Sequence, residues 1–265
     1  MELKIAAVQC KVGSKKSFES AERLIKAGID ENVEVFLLPE YFSYTSGGVS
    51  LEKSRETLTF LQNISLSYGC IVAGNVVIKA PDGKGYFNAL HVFENGEIRG
   101  VQEKIHPTRN ERGLGVREGE KAKIFRIGKV NFAALICADI LYPEYCRVLA
   151  IKGAEIVFNP VVSVEKSELP AQELRHCLYF TRSFDNGYAI IKSGGPGVTM
   201  LGSKAVGRSL ISSPTGIEAI YTDEKSEELV YCEINLDKLR KHREVNYSLF
   251  ERNIKAYKEL LEGKP

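Results

Sequence analysis

The sequence predicts an α/β protein: a four-layer α-β-β-α sandwich of two mixed β-sheets, folded as a single domain over residues 1–265. Three observations lead there. Short apolar runs alternate with stretches of helical periodicity, as strand–helix–strand units require. That plan, closed by hairpins, occurs twice along the chain. No linker, low-complexity segment or charge block separates the two copies. Each copy would make a sheet with helices on one face, and the two uncovered faces must then pack on each other. With 265 residues, 44% of them hydrophobic, the chain is long enough to fill that core.

Taken in order, "LKIAAVQC" is a continuous apolar run, suited to a strand buried on both faces. Phe18, Ala21, Leu24, Ile25 and Ile29 recur at helical spacing. "VEVFLLPE" reads as a second strand, stopped by Pro39. Leu51, Leu58, Leu61 and Ile64 predict a helix, and "CIVAGNVVI" a third strand. Asp82-Gly83 and Asn95-Gly96 mark hairpin turns, so the sheet becomes antiparallel toward its edge. Residues 104–121 are polar and rich in glycine and charge, a long loop of the kind that is either functional or disordered. The second copy begins with "VNFAALIC", a helix over 143–152, the strand "EIVFNP", a helix over 170–185 and the strand "GYAIIKSG". Hairpins are expected around Ser213-Pro214-Thr215-Gly216 and around Thr222-Asp223. From Lys241 the tail is polar, then partly helical, and residues 246–265 read as an arm of the same domain.

The charge balance, 36 basic against 34 acidic residues, is interspersed and offers no stripe for nucleic acid or an acidic membrane. "MELKIAAVQC" lacks the pattern of a secretory leader, and no apolar run is long enough to span a bilayer. A cytoplasmic protein with reduced thiols is expected, without nucleic-acid or membrane partners. Six cysteines and four histidines show no metal-ligand spacing, so neither a metal nor another cofactor is expected.

Three residues with chemistry each follow an apolar strand: Glu40 after "FLLP", Lys104 after "GVQE" and Cys137 after "AALI". Ligands of open α/β sheets bind at the carboxyl ends of strands. A thiolate is the nucleophilic form of cysteine, and a nearby ammonium favours it. A buried carboxylate can take the thiol proton. Charge that develops on the attacked carbonyl or nitrile group can be met by Lys104 and by the backbone N–H of Ala138. The product of such an attack is a thioester, which water hydrolyses. Tyr41, Asn159 and Pro160, next to these strand ends, are expected to line the substrate pocket. His106 is read either as a residue that orients the loop or as a solvated loop histidine, and the glycines of "SGGPGVTMLG" as pocket rim.

The order "LLPEYF", "EKIHP" and "LICADILYPE" resembles the nitrilase, or carbon–nitrogen hydrolase, superfamily. The likeness runs from "KIAAVQC" through "NPVVSVE" and "GRSLISSPTG" to the C-terminal region. It implies the four-layer sandwich, a Glu-Lys-Cys triad and hydrolysis of a non-peptide C–N bond. Glu40 would be the general base, Lys104 the oxyanion stabiliser and Cys137 the nucleophile. A second glutamate in the loop after the lysine is implied, for which Glu111 fits best and Glu118 is the alternative. Ala138 stands where many relatives carry a larger residue, and Val161 and Val162 where relatives often have small or polar ones. The expected activity is amidase-type, on a small amide or carbamoyl compound. Nitrile hydrolysis, and a glutaminase or interaction subunit of a larger complex, stand as alternatives. The resemblance also implies a homodimer or higher even oligomer, with the C-terminal arm across its interface.

Overall fold

A computed structural model describes residues 1–165 and 174–262. The first copy runs β1 (Glu2–Gln9), α1 (Ser17–Asp30), β2 (Val35–Leu37), α2 (Leu51–Tyr68), β3 (Ile71–Lys79), β4 (Tyr86–Glu94) and β5 (Glu97–Glu103). A short helix α3 (Arg109–Gly113) then leads to β6 (Phe125–Ile127) and β7 (Val130–Ala134). The second copy continues through a 3-10 turn at Cys137–Leu141, α4 (Pro143–Ile151), β8 (Ile156–Pro160), β9 (Ser163–Val164), α5 (Arg175–Asn186) and β10 (Ala189–Ser193). It ends with β11 (Gly197–Val198), β12 (Lys204–Val206), β13 (Leu210–Ser213), β14 (Gly216–Ile220), β15 (Glu228–Asn235), α6 (Leu236–Val245), α7 (Tyr247–Phe250) and α8 (Lys258–Glu262). Of the helix expected over 170–185, residues 170–173 lie outside the described residues, as do the last three of the expected arm.

Among the described residues the strands form two six-stranded mixed sheets, in the orders β15-β1-β2-β3-β4-β5 and β14-β13-β10-β8-β7-β6. The alternation of side chains along each strand builds the layers. Ile5 and Ala7 of β1 join Phe132, Phe158 and Ile191 in the core between the sheets. Ala6 and Val8, on the opposite face, pack with Leu24 and Ile25 of α1 and Leu61 of α2. On the far side, Ala133, Val157 and Ile190 pack with Leu149 of α4 and Tyr179 of α5. The result is the four-layer α-β-β-α sandwich.

Two details differ from the sequence reading. Thr222-Asp223 does not close a hairpin. The chain leaves β14 in the second sheet and crosses there to the first, where β15 pairs antiparallel with β1 over its whole length. The turn composition is the same for a hairpin and a crossover, so only the pairing partner decides. A third, three-stranded sheet, β11-β12-β9, was also not expected. Its strands are two or three residues long, too short to leave a periodicity.

Candidate active site

The end of β2 supplies one carboxylate, the segment after β5 the ammonium and a second carboxylate, and the turn after β7 the thiol. β2 ends where Pro39 interrupts it, with Leu38 N–H still bonded to Ala73 O at 2.9 Å. The next residue, Glu40, turns inward and is 3% exposed. Lys104 follows β5 and stays tied to β4 through its N–H on Asn88 O at 2.8 Å. Its side chain is 1% exposed. The ammonium donates to Glu40 Oε1 at 2.9 Å and to Glu111 Oε2 at 2.7 Å.

Glu111 lies on α3, inside the stretch expected as a long loop. Thr108 caps this helix in a reciprocal capping box: Glu111 N–H donates to Thr108 Oγ1 at 3.3 Å, and Thr108 N–H to Glu111 Oε2 at 2.8 Å. Tyr41 OH donates to the other oxygen, Glu111 Oε1, at 2.9 Å. Asn88 on β4 donates to both carboxylates, at 2.8 Å to Glu40 Oε1 and 3.0 Å to Glu111 Oε1. Glu118 is elsewhere, exposed and paired with Arg112 at 2.8 Å. The T-x-x-E pattern of Thr108–Glu111 is the sequence signal that separates the two glutamates. Asn88, an amide within an otherwise apolar strand, was missed, although a buried amide demands partners.

Cys137 sits on a sharp turn after β7, with φ of 50°. A non-glycine residue in this region costs about 1–3 kcal/mol and persists only where its surroundings hold it. They do so here. Asn159 donates to the carbonyls of Leu135 and of Cys137, the latter at 3.3 Å, and is itself held by Tyr179 OH at 2.7 Å. Asp139, fully buried, accepts from the N–H of Ile136 at 3.0 Å and of His106 at 2.8 Å, which locks the cysteine turn to the lysine loop. His106 adds its ring nitrogen to the same carboxylate at 2.9 Å and stacks on Tyr142 at 3.6 Å, so it orients the loop.

A cavity of about 240 Å³ opens at these groups, lined by Glu40, Tyr41, Lys104, Glu111, Cys137, Val161 and Val162 among others. Thus four of the expected residues, Glu40, Lys104, Glu111 and Cys137, meet at one cavity, with Tyr41 on its wall. Ala138 lines a lobe that adjoins it. Asn159 and Pro160 do not line either space. Both are buried in β8, and instead of the contact expected of it Asn159 supports the cysteine turn from behind, while the residue after Pro160, Val161, lines both spaces. Val164 of β9 and Ala205 of β12 bring the small sheet to the cavity wall. Gly195, from the expected glycine rim, lines it too, and an added Cβ there would lie 2.0 Å from Cys10 O.

The charges are set apart by their surroundings. Burial raises the Glu40 carboxyl above its usual range, and Glu111 adds to this against the pull of Lys104. Glu111 is also penalised by burial, but Lys104 and the Thr108 and Asn88 donors more than offset it and hold its pKa below the usual value. Burial opposes the charge on Lys104, yet Glu40 and its other neighbours raise its pKa overall. Cys137 shares the cavity wall with Glu40 and Val162. Burial first, then Glu40, push its thiol up to about 12 against the opposing pull of Lys104. The pull of Lys104 toward the thiolate is thus outweighed, and the thiol lies beside a carboxylate whose own proton affinity is raised. Among the described residues no cluster of His, Cys, Asp or Glu is arranged to hold a metal, and all six cysteines are free.

The carbon–nitrogen hydrolase family model matches residues 4–244, and the chain belongs to that family, within the nitrilase superfamily. It is a carbon–nitrogen hydrolase. A nitrilase of Pyrococcus abyssi is 26% identical over 240 residues, covering 86% of this chain and 87% of that protein. A deaminated glutathione amidase of Synechocystis is 25% identical over 255 residues, covering 89% and 92%. The crystal structure of a carbon–nitrogen hydrolase from Helicobacter pylori G27 superposes with a TM-score of 0.86 at 22% identity, over 98% of each chain, a likeness of fold.

Proposed function

We propose that the chain hydrolyses the C–N bond of a small amide or carbamoyl compound through a thioester at Cys137, with release of ammonia or an amine. The observation that carries this reading is the position of the Lys104 ammonium, bound at once to Glu40 and Glu111 beside a cavity onto which Cys137 opens. Cys137 gives its proton to Glu40 as the sulfur attacks the carbonyl carbon. The carbonyl oxygen gains charge, and Lys104 together with the Ala138 N–H receives it. Glu40 passes the proton to the departing nitrogen, the C–N bond breaks and the thioester remains. Water then loses a proton to Glu40 and adds to the thioester. The C–S bond breaks, and the sulfur recovers its proton from Glu40. Glu111 stays ionised throughout and aims Lys104.

An assay of ammonia release across amides, carbamoyl amino acids and nitriles tests this reading. Turnover of an amide or carbamoyl compound by the native chain, with none by Cys137→Ala, is the expected outcome. Turnover of nitriles alone would replace the amidase reading.

We also propose that the chain pairs as a homodimer. Val148 and Ile151 of α4, Phe184 of α5, and Tyr247 and Phe250 of α7 are all exposed. These elements adjoin, since Arg147 and Asn246 both bond Asp185 O. Such a concentration of apolar side chains suits a self-complementary contact.

A further inference from the structure

Cys137 stands where two cavities meet. The second, of about 260 Å³, shares Thr108, Cys137, Val161 and Val162 with the first. Among the described residues its lining also includes three cationic side chains, Arg175, Lys192 and Arg208, and no carboxylate. Lys192 belongs to β10, where it is paired in register with Asn159 of β8 and Leu210 of β13. It is 5% exposed. Its ammonium lies 5.0 Å from the centre of the Tyr179 ring. Among the described residues it has no hydrogen-bond or ion-pair partner, whereas Arg208 donates to Glu224 at 2.6 Å.

The contrast with Lys104 is informative. Both are buried lysines that face the space around Cys137. Lys104 is held by two carboxylates, and Lys192 by none among the described residues. A buried ammonium without a counter-ion gives up its hydration with nothing in return. Burial, with Arg175 and Arg208 adding repulsion, pulls Lys192 down to about 7. An anion arriving through the cavity would supply the missing partner and favour the charged form.

We propose that the substrate carries a carboxylate in addition to its scissile amide, and that this carboxylate binds Lys192, flanked by Arg175 and Arg208, while the amide carbonyl sits at Cys137. The proposal rests on the amidase reading above and narrows it. Lys192 is then a specificity-determining residue that contacts substrate, and the two cavities are one bilobed site.

The test compares glutaramate with valeramide, which has the same chain with a methyl group in place of the carboxylate. The ratio of kcat/KM for glutaramate over valeramide should favour the anion strongly in the native chain. It should fall by about 10²-fold in Lys192→Met, the scale for removing one partner of a buried charge pair. Lys192→Arg should recover part of the loss. A native ratio near unity, or one that Lys192→Met leaves unchanged, overturns the proposal. If neither amide is turned over, the amidase reading is in question and binding decides the subsite separately. Calorimetry with glutarate and the Cys137→Ala chain should then show binding that weakens about tenfold or more when Lys192→Met is added. Absent binding, or binding indifferent to Lys192, overturns it.

Discussion

Glu40 and Glu111 share one ammonium, yet their surroundings shift them in opposite directions. Glu111 has donors from Lys104, Thr108, Tyr41 and Asn88, and each favours its charged form. Glu40 has fewer, so burial prevails there. Two neighbouring carboxylates with separated proton affinities divide the roles of base and fixed anion between them. Glu111→Gln should therefore fold, still alkylate at Cys137 and lose hydrolysis by about 10²-fold or more, because Lys104 is no longer aimed. Glu118→Gln should be nearly silent, and steady-state kinetics on both variants would expose a wrong choice of glutamate. The pH dependence follows from Glu40. Proton acceptance requires its ionised form, and its pKa lies above the 4.5 of an ordinary glutamate. So kcat/KM should rise with pH through a midpoint above 4.5, as initial rates between acidic and neutral pH will show.

At the scale of elements, the site depends on where strands stop. Pro39 ends β2 and exposes Glu40 to the cavity, and the turn after β7 does the same for Cys137. Both were legible, because an apolar run followed by a proline or a polar residue marks a strand end. The helix α3 was not, since five residues carry too little periodicity, although its capping pattern was there to be read. The crossover from β14 to β15 was hidden because a turn's composition does not reveal the partner of its second strand. Nor was Asp139 legible as a tie between two loops, since its donors, Ile105, Ile136 and His106, are brought together only by folding. Helix ends show a comparable long-range device. Arg243 of α6 donates to Ala150 O at 2.8 Å, Ala154 O at 3.0 Å and Asn186 O at 3.2 Å, which serves the C-terminal carbonyls of both α4 and α5. Arg243→Met should lower stability by about 2 kcal/mol, measurable in urea unfolding, because several buried acceptors lose a charged donor together.

For the whole molecule, the two-copy plan seen in the sequence explains how one site draws on both sheets. The carboxylates and the ammonium come from the first copy, the thiol from the second, and packing of the sheets face to face brings the strand ends together. The same packing leaves α4, α5 and the C-terminal helices outermost, with their apolar side chains exposed. Sedimentation at micromolar concentration should report a dimer that weakens when residues 246–265 are deleted, and a monomer indifferent to that deletion would remove the proposed pairing. The claim at the centre of the account is covalent catalysis by Cys137, and intact-protein mass spectrometry during turnover of an amide addresses it most directly. The account predicts a chain heavier by one acyl group, with the addition mapped to Cys137, lost on treatment with hydroxylamine and absent from Cys137→Ala. Undiminished amide hydrolysis by Cys137→Ala, with no acyl adduct on the native chain, would contradict it.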